Sequence, residues 1–280
     1  MKFEESQYIG YDGLRMHTNL WMPDDERPRA ILIAIHGLGS YGYSLKNIGE
    51  YFGEKGFAVF APDMRGFGSY SGLKGHVMSY KEYIEDMHNI VMQAKDRFLN
   101  RLTYLFGHSL GAVHILRYID FYPNEVDGMI LSCPAVSETL PISRSTRIIG
   151  WFLSLLNVKK YFENEVNHEY SSHDSEVVTA HKNDPLRFDK VTPRFGISAL
   201  RAKERAFKSA DKITLPTLIQ QGGDDKLVDS EKTKEFFDNL ASPDKTFKLY
   251  EGLYHELHSE IEKEKVLADM NAWLEKRLPV

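Results

Sequence analysis

The sequence predicts a doubly wound α/β domain with a mostly parallel central sheet, helices on both of its faces and a mainly helical inserted cap. Three observations point there. From Ala30 onward, strand-length apolar runs alternate with helical stretches, the pattern of strands buried on both faces of a parallel sheet. One of those runs ends in Gly107-His108-Ser109-Leu110-Gly111, a Gly-x-Ser-x-Gly at a strand-to-helix turn. The alternation then lapses over 137–209 and resumes, as it would around an insertion.

In chain order, 3–22 reads as a hairpin in which FEESQYIGY and LRMHTNLWM are joined by Asp12-Gly13, a pair that favours positive φ. AILIAIH, FAVFAPD, LTYLFGH and VDGMILSCP follow as strands. Helices fit between them at 44–55, 79–98 and 109–121, the last stopped before Tyr122-Pro123. Inside the insertion lie the amphipathic STRIIGWFLSLLNV and the polar NHEYSSHDSE. TLPTLIQQGGDD restores a strand, KTFKLYEG is the last one, and 259–277 forms the closing helix. The boundaries are therefore 1–136 with 210–280 for the core and 137–209 for the cap, or lid.

The 280 residues suffice for one large domain with an insertion. A net charge of −5 without a Lys/Arg block lacks the electrostatic footprint of a nucleic-acid binder. The single cysteine, Cys133, excludes an internal disulfide framework and fits a reducing, cytoplasmic setting, as a secreted chain without disulfides also would. AILIAI and IIGWFLSLL are too short to cross a bilayer, so any membrane association is peripheral.

Gly107 and Gly111 flank Ser109 where side chains would obstruct a sharp turn that holds a nucleophile. A bare Gly-x-Ser-x-Gly also arises by chance, so a base and an acid must accompany it. The order Ser, Asp, His at successive strand ends is that of the α/β-hydrolase fold. Asp225, in GGDDKLVD after a strand, is the acid candidate, with a turn residue as its alternative; Asp224 and Asp229 read as caps of the turn and the next helix. His255, in a loop of LYEGLYHELHSE, is the base candidate, preferred to His258 at the start of the closing helix. The backbone N–H groups of Leu38, in AIHGLGSYG, and of Leu110 are placed to form an oxyanion hole, with His36 orienting the loop.

Rival readings exist. Gly37-x-Gly39-x-x-Gly42 after a strand, with Asp63 ending the next one, matches a dinucleotide fingerprint and would make an oxidoreductase, but it would leave Ser109, Asp225 and His255 unexplained. A ligand receptor without catalysis is a further alternative. HELH and HEYSSH lack the i, i+4 histidine pair of a helical zinc site, so no metal is expected. His108 and His114 read as packing or surface residues, and Cys133 as a buried residue at a strand end.

HGLGSYG, PDMRGFGSYSGLKGHV, FGHSLGA, GGDDKLVD and YHELH, in that order, resemble the monoacylglycerol lipase and lysophospholipase group of serine α/β hydrolases. The resemblance implies Ser109 as nucleophile, His255 as general base and acid, Asp225 as its orienting carboxylate, the Leu38 and Leu110 amides as oxyanion hole, and ester cleavage through an acyl-enzyme without cofactor. It implies a monoacylglycerol substrate, with lysophospholipase or general carboxylesterase activity as alternatives. The chain departs from the group at Ser40, Tyr41 and Ser44, where those lipases carry an acidic and then a basic residue that receive glycerol. His258 matches a polar position that contacts the head group, unless it is a helix-surface histidine. Ile148, Ile149, Trp151, Phe152, Leu155 and Leu156, at helical spacing, are candidates to line an acyl channel or touch a lipid surface, against simple packing.

Overall fold

The computed structural model describes residues 1–137, 143–163 and 167–279. Strands β1 (Lys2–Ile9) and β2 (Arg15–Met22) form the expected antiparallel hairpin, with Gly13 at φ +81° in its turn. The alternating core follows as β3 (Ala30–Ile35), α1 (Lys46–Glu54), β4 (Phe57–Pro62), α2 (Lys81–Arg97), β5 (Thr103–His108), α3 (Leu110–Ile119) and β6 (Gly128–Ser132). Between β6 and β9 lie α4 (Arg144–Leu155), β7 (Phe162–Glu163), α5 (Ser175–Asn183), β8 (Lys190–Val191) and α6 (Pro193–Lys208). The core then closes with β9 (Thr217–Gly222), α7 (Ser230–Asn239), β10 (Lys245–Tyr250) and α8 (Lys263–Glu275).

The main sheet runs β1-β2-β4-β3-β5-β6-β9-β10, antiparallel at β1, β2 and β4 and parallel from β4 onward. Every residue of β3, β4, β5, β6 and β9 is buried, which is why those runs are mostly apolar, with Thr103, His108, Ser132, Thr217, Gln220 and Gln221 as buried polar exceptions in β5, β6 and β9. Successive side chains of β3 serve opposite faces. Ile31, Ile33 and Ile35 pack with Met87, Ile90 and Val113 of α2 and α3, whereas Leu32 and Ala34 pack with Phe52, Met270 and Trp273 of α1 and α8. From β3 the chain turns to β4 on one side, then crosses to β5 on the other. The carboxyl ends of β3 and β5 therefore border a topological switch point, where α/β sheets leave a crevice.

Several element boundaries differ from expectation. The helix expected from 44 opens as a 3₁₀ turn, Gly42–Leu45, before α1, and α3 stops at Ile119 because the amides of Phe121 and Tyr122 both turn back to the Tyr118 carbonyl. The closing helix starts at Lys263 rather than 259. Glu260, its carboxylate buried, accepts the backbone amides of Tyr254, His173 and Ile261, and this holds 257–259 in a 3₁₀ turn. His258 is consequently a buried turn residue, not a residue on a helix surface.

The described residues of 137–209, the segment expected to form a cap, are mainly helical, with β7 and β8 adding a short antiparallel pair; residues 138–142 and 164–166 of that segment lie outside those described. Thr192 caps α6 and Pro193 occupies its first turn, and Phe195, Ala199, Ala202 and Ala206 bury one face of that helix. By contrast α4 buries none of its residues. Ile148, Ile149, Phe152, Leu155 and Leu156 are all more than half exposed, so the stripe is not packed as a cap core. Among the described residues, no helix is long and apolar enough to cross a membrane.

Candidate active site

Ser109 sits between β5 and α3 at φ +53°, ψ −117°, a backbone conformation costing about 1–3 kcal/mol for a residue with a side chain. The surrounding chain enforces it. A Cβ at Gly107 would lie 2.7 Å from the Ala112 nitrogen, and one at Gly111 would lie 2.3 Å from the Ile35 carbonyl oxygen. The Ser109 amide donates to the Ser132 carbonyl of β6 at 2.9 Å, which fixes the elbow to the neighbouring strand.

The loop after β9 carries three aspartates, and the structure separates them. Asp229 caps α7, accepting from the amides of Glu231 and Lys232, and Asp224 is exposed. Asp225 points inward with its side chain fully buried. Its Oδ1 accepts from the Leu227 and Val228 amides, and its Oδ2 lies 2.7 Å from His255 Nδ1 and accepts from Gln221 Nε2. Burial alone would raise the Asp225 pKa, but the His255 contact and the two amides hold it below the usual carboxylate range. An ionised carboxylate there requires the proton on Nδ1 and leaves Nε2 of the neutral ring as the free base.

The His255 ring lies 4.7 Å from that of His108, the residue preceding Ser109. Burial depresses its pKa and the Asp225 carboxylate more than offsets this, leaving it above 6.5. His108, His181 and His258 are shifted the other way, chiefly by burial, His258 to about 4. The pH dependence should therefore report one imidazole. With His255 as base, kcat/KM for a soluble ester is expected to rise with pH through a single inflection above 6.5, where the ring loses its proton and becomes able to accept another. A profile flat across about pH 5 to 8 would exclude His255 as the base.

The segment after β3 completes the arrangement. A Cβ on Gly37 would sit 3.2 Å from the Ser109 Cβ, so this backbone runs against the elbow, and Gly39 turns it at φ +76°. His36 accepts the Met64 amide at Nε2, so its Nδ1 carries the proton and donates to the Gly37 carbonyl. Asp63 accepts the amides of Gly42 and Ser69. Leu38 and Leu110 thus belong to two braced segments, and neither amide has a hydrogen-bond partner among the described residues. The dinucleotide reading fails here: Asp63 is engaged by backbone, and a Cβ on Gly42 would lie 2.1 Å from the Ala61 carbonyl oxygen, so close packing explains that glycine.

Sequence reasoning missed the groups that hold the His255 loop. The His255 and Glu256 amides donate to the carbonyls of Tyr170 and Ser171 in the insertion. Buried Glu256 faces Arg187 at 3.6 Å and His181 at 3.5 Å; burial raises its pKa, but these neighbours hold it well below the usual range. The available signal was a glutamate directly beside the candidate histidine, flanked by Leu253, Tyr254 and Leu257. His258 lies 5.0 Å, ring to ring, from His108, and its Nδ1 is buried without a partner among the described residues. Trp151 and Phe152 are both exposed, and the groove that Trp151 lines includes neither Ser109 nor His255.

Cys133, Asp225 and His255 bring ligand-type atoms within 4.8 Å of one another, yet the set suits a metal poorly. Burial raises the Cys133 thiol well above its ordinary pKa, and its sulfur accepts the Gly222 amide, while Asp225 and His255 engage each other.

The family model described as serine aminopeptidase, S33, matches residues 26–262. The chain belongs to this family. Over 271 residues it is 30% identical to a monoacylglycerol lipase of Mycolicibacterium smegmatis, covering 96% of each chain. It is 28% identical to phospholipase YtpA of Bacillus subtilis, covering 91% of this chain and 98% of that one. The crystal structure of a monoacylglycerol lipase from Paleococcus ferrophilus superposes with a TM-score of 0.82 at 25% identity, with 98% of each chain covered. Membership in this family bears out the α/β-hydrolase fold and the serine ester hydrolase class that the motifs imply, in place of the oxidoreductase alternative.

Proposed function

We propose that this serine hydrolase cleaves monoacylglycerols through Ser109, His255 and Asp225. The observation that carries the reading is the 2.7 Å pairing of a fully buried Asp225 with His255 beside a serine held at φ +53°. His255 Nε2 takes the hydroxyl proton as Ser109 Oγ attacks the ester carbonyl. The Leu38 and Leu110 amides receive the resulting oxyanion, an interaction worth about 3 kcal/mol per donor. The same ring then protonates the departing alcohol, and water hydrolyses the acyl-enzyme by the reverse proton path. In this reading 1–136 and 210–280 form the catalytic core and 137–209 the cap.

His258, buried beside His108, is the candidate contact to the leaving alcohol. Ser40 and Ser44, hydrogen-bonded to each other at 2.6 Å, offer hydroxyls rather than charges on the oxyanion side. Trp151 and Phe152 fit a lipid surface better than a channel wall, because both are exposed on a helix that buries nothing. The setting proposed is the cytoplasm, with reversible contact to a membrane and no role for nucleic acid or cofactor. Similarity to a phospholipase favours lysophospholipids as the second substrate reading.

Labelling by a fluorophosphonate together with a turnover panel tests this. Rapid labelling and kcat/KM highest for monoacylglycerols, above lysophosphatidylcholine and acetate esters, is the expected result. A preference for the lysophospholipid would replace the substrate reading while keeping the mechanism, and absence of labelling would remove both.

A further inference from the structure

The general base and the oxyanion segment come from distant parts of the sheet. Four inter-strand gaps separate β3, which leads into Leu38, from β10, which leads into His255, a span of about 19 Å at the usual spacing of ~4.8 Å. Both must reach Ser109 at the end of β5, so the sheet alone does not fix their separation. One stretch, 168–188, touches both loops. The Tyr170 and Ser171 carbonyls accept the amides of His255 and Glu256, and the Phe188 amide donates to the Gly39 carbonyl at 2.9 Å. Asp184 ties the same turn to the oxyanion side. Its Oδ2 accepts from the Tyr41 hydroxyl at 2.6 Å, its Oδ1 accepts the Leu186 amide, and its carbonyl accepts the Arg187 amide. The side chain before Phe188 reaches the base loop: Arg187 faces Glu256, the residue after the base, at 3.6 Å, and the two side chains are only 6% and 11% exposed.

We infer that Arg187 and Glu256 are positioning residues, through which the 184–188 turn sets the distance between the general base and the oxyanion hole. Phe188 holds the backbone just beyond Leu38, and Arg187, one residue earlier, holds the backbone of His255 through the Glu256 carboxylate. The inference rests on the reading of His255 as base and of Leu38 as oxyanion donor. Stability alone is a poor account of the pair. Buried ion pairs are often replaceable by apolar side chains without loss of stability, and this one closes no direct hydrogen bond. Arg187 Nε is buried with no partner among the described residues, and the Glu256 contacts, 3.6 Å to Arg187 and 3.5 Å to His181 Nε2, exceed the usual hydrogen-bond length. What the pair achieves is register, because attraction between buried charges resists separation of the two loops. A misplacement of about 1 Å between base and oxyanion donors suffices to cost roughly 10²-fold in rate.

The test is steady-state hydrolysis of p-nitrophenyl butyrate by the full chain, with unfolding transitions measured in parallel. Glu256→Gln and Arg187→Met are each expected to lower kcat by about 10- to 100-fold, with KM changed by no more than about twofold. The double variant should lose no more than the worse single one, because each change breaks the same link. Arg187→Lys, which keeps the cation, should recover most of kcat, and Glu251→Gln, exposed in the same loop, should leave it unchanged. His255 faces Asp225, Glu256, Lys203 and the His108 ring; the two carboxylates raise its pKa and Lys203 lowers it. Glu256→Gln should therefore also move the kcat/KM inflection to lower pH.

Full kcat in a folded variant whose unfolding transition alone has shifted would make the pair a purely structural element and overturn the inference. So would losses that multiply in the double variant, losses confined to KM, or an Arg187→Lys variant as impaired as Arg187→Met. Should a single variant leave an unpaired buried charge and fail to fold, the neutral double variant decides, since it leaves none. Reduced kcat there supports the inference, and full kcat overturns it. Wild-type turnover and fluorophosphonate labelling are read first. Their absence refutes the catalytic reading and the inference with it, whereas an active wild type with full kcat in the double variant refutes the inference alone.

Discussion

Replacing Ser109 with alanine is expected to lower kcat for ester hydrolysis by about 10⁶-fold, because the acyl-enzyme can no longer form and only positioning and oxyanion stabilisation remain. No other group near the site can substitute for it. Cys133, buried one strand away, is held protonated by its surroundings and its sulfur is already engaged by the Gly222 amide. Folding should survive the change, since alanine meets the same backbone strain at φ +53° and the Ser109 side chain is not a helix cap. An unaltered unfolding transition, together with loss of both turnover and fluorophosphonate labelling, is the measurement to make. A variant that kept substantial turnover would place the nucleophile elsewhere.

The elements that position this serine were the easiest to read. Parallel strands buried on both faces are predominantly apolar, so β3, β4, β5, β6 and β9 stood out as short runs bounded by turn residues, even with Gln220 and Gln221 buried in β9. Gly107 and Gly111 were equally legible, because a close approach of backbone to backbone leaves room for one residue type. Helix ends were less so, since they depend on groups distant in sequence. In HELHSE the chain carries good helix formers from Glu256 onward, yet the Glu260 carboxylate collects the amides of Tyr254, His173 and the adjacent Ile261, and α8 begins only at Lys263.

The insertion was the least legible part, for a related reason. An amphipathic stripe states that one face of a helix is apolar but not what covers it, so STRIIGWFLSLLNV was compatible with packing, a channel wall or a lipid surface. Only the structure places those side chains outward. Likewise Arg187 is an unremarkable cation in sequence. Its position against Glu256 depends on the Phe188 amide meeting the Gly39 carbonyl, a contact across roughly half the chain that no local pattern announces.

Asp225→Asn should lower kcat by roughly 10⁴-fold, and the hydrogen bonds around the carboxylate explain why the loss would exceed that of a missing charge. The Leu227 and Val228 amides both donate to Oδ1, so an asparagine must present its carbonyl oxygen to them. Reversing the amide would set its NH₂ against two donors. Its NH₂ therefore faces His255 Nδ1, which can then only accept, and the ring proton moves to Nε2, the atom that must take the Ser109 proton. Gln221 Nε2, which donates to the same Oδ2, loses one of its two acceptors and keeps the Gly222 carbonyl. The variant should also show its remaining pH inflection at lower pH than the wild type, because the anion that raises the His255 pKa is gone. Asp224→Asn, at an exposed position of the same loop, should change kcat by no more than a few fold. Steady-state kinetics of the two variants across pH separate the roles. Equal losses in both, or an Asp225→Asn effect confined to KM, would show that the carboxylate shapes the loop and does not set the tautomer of the base.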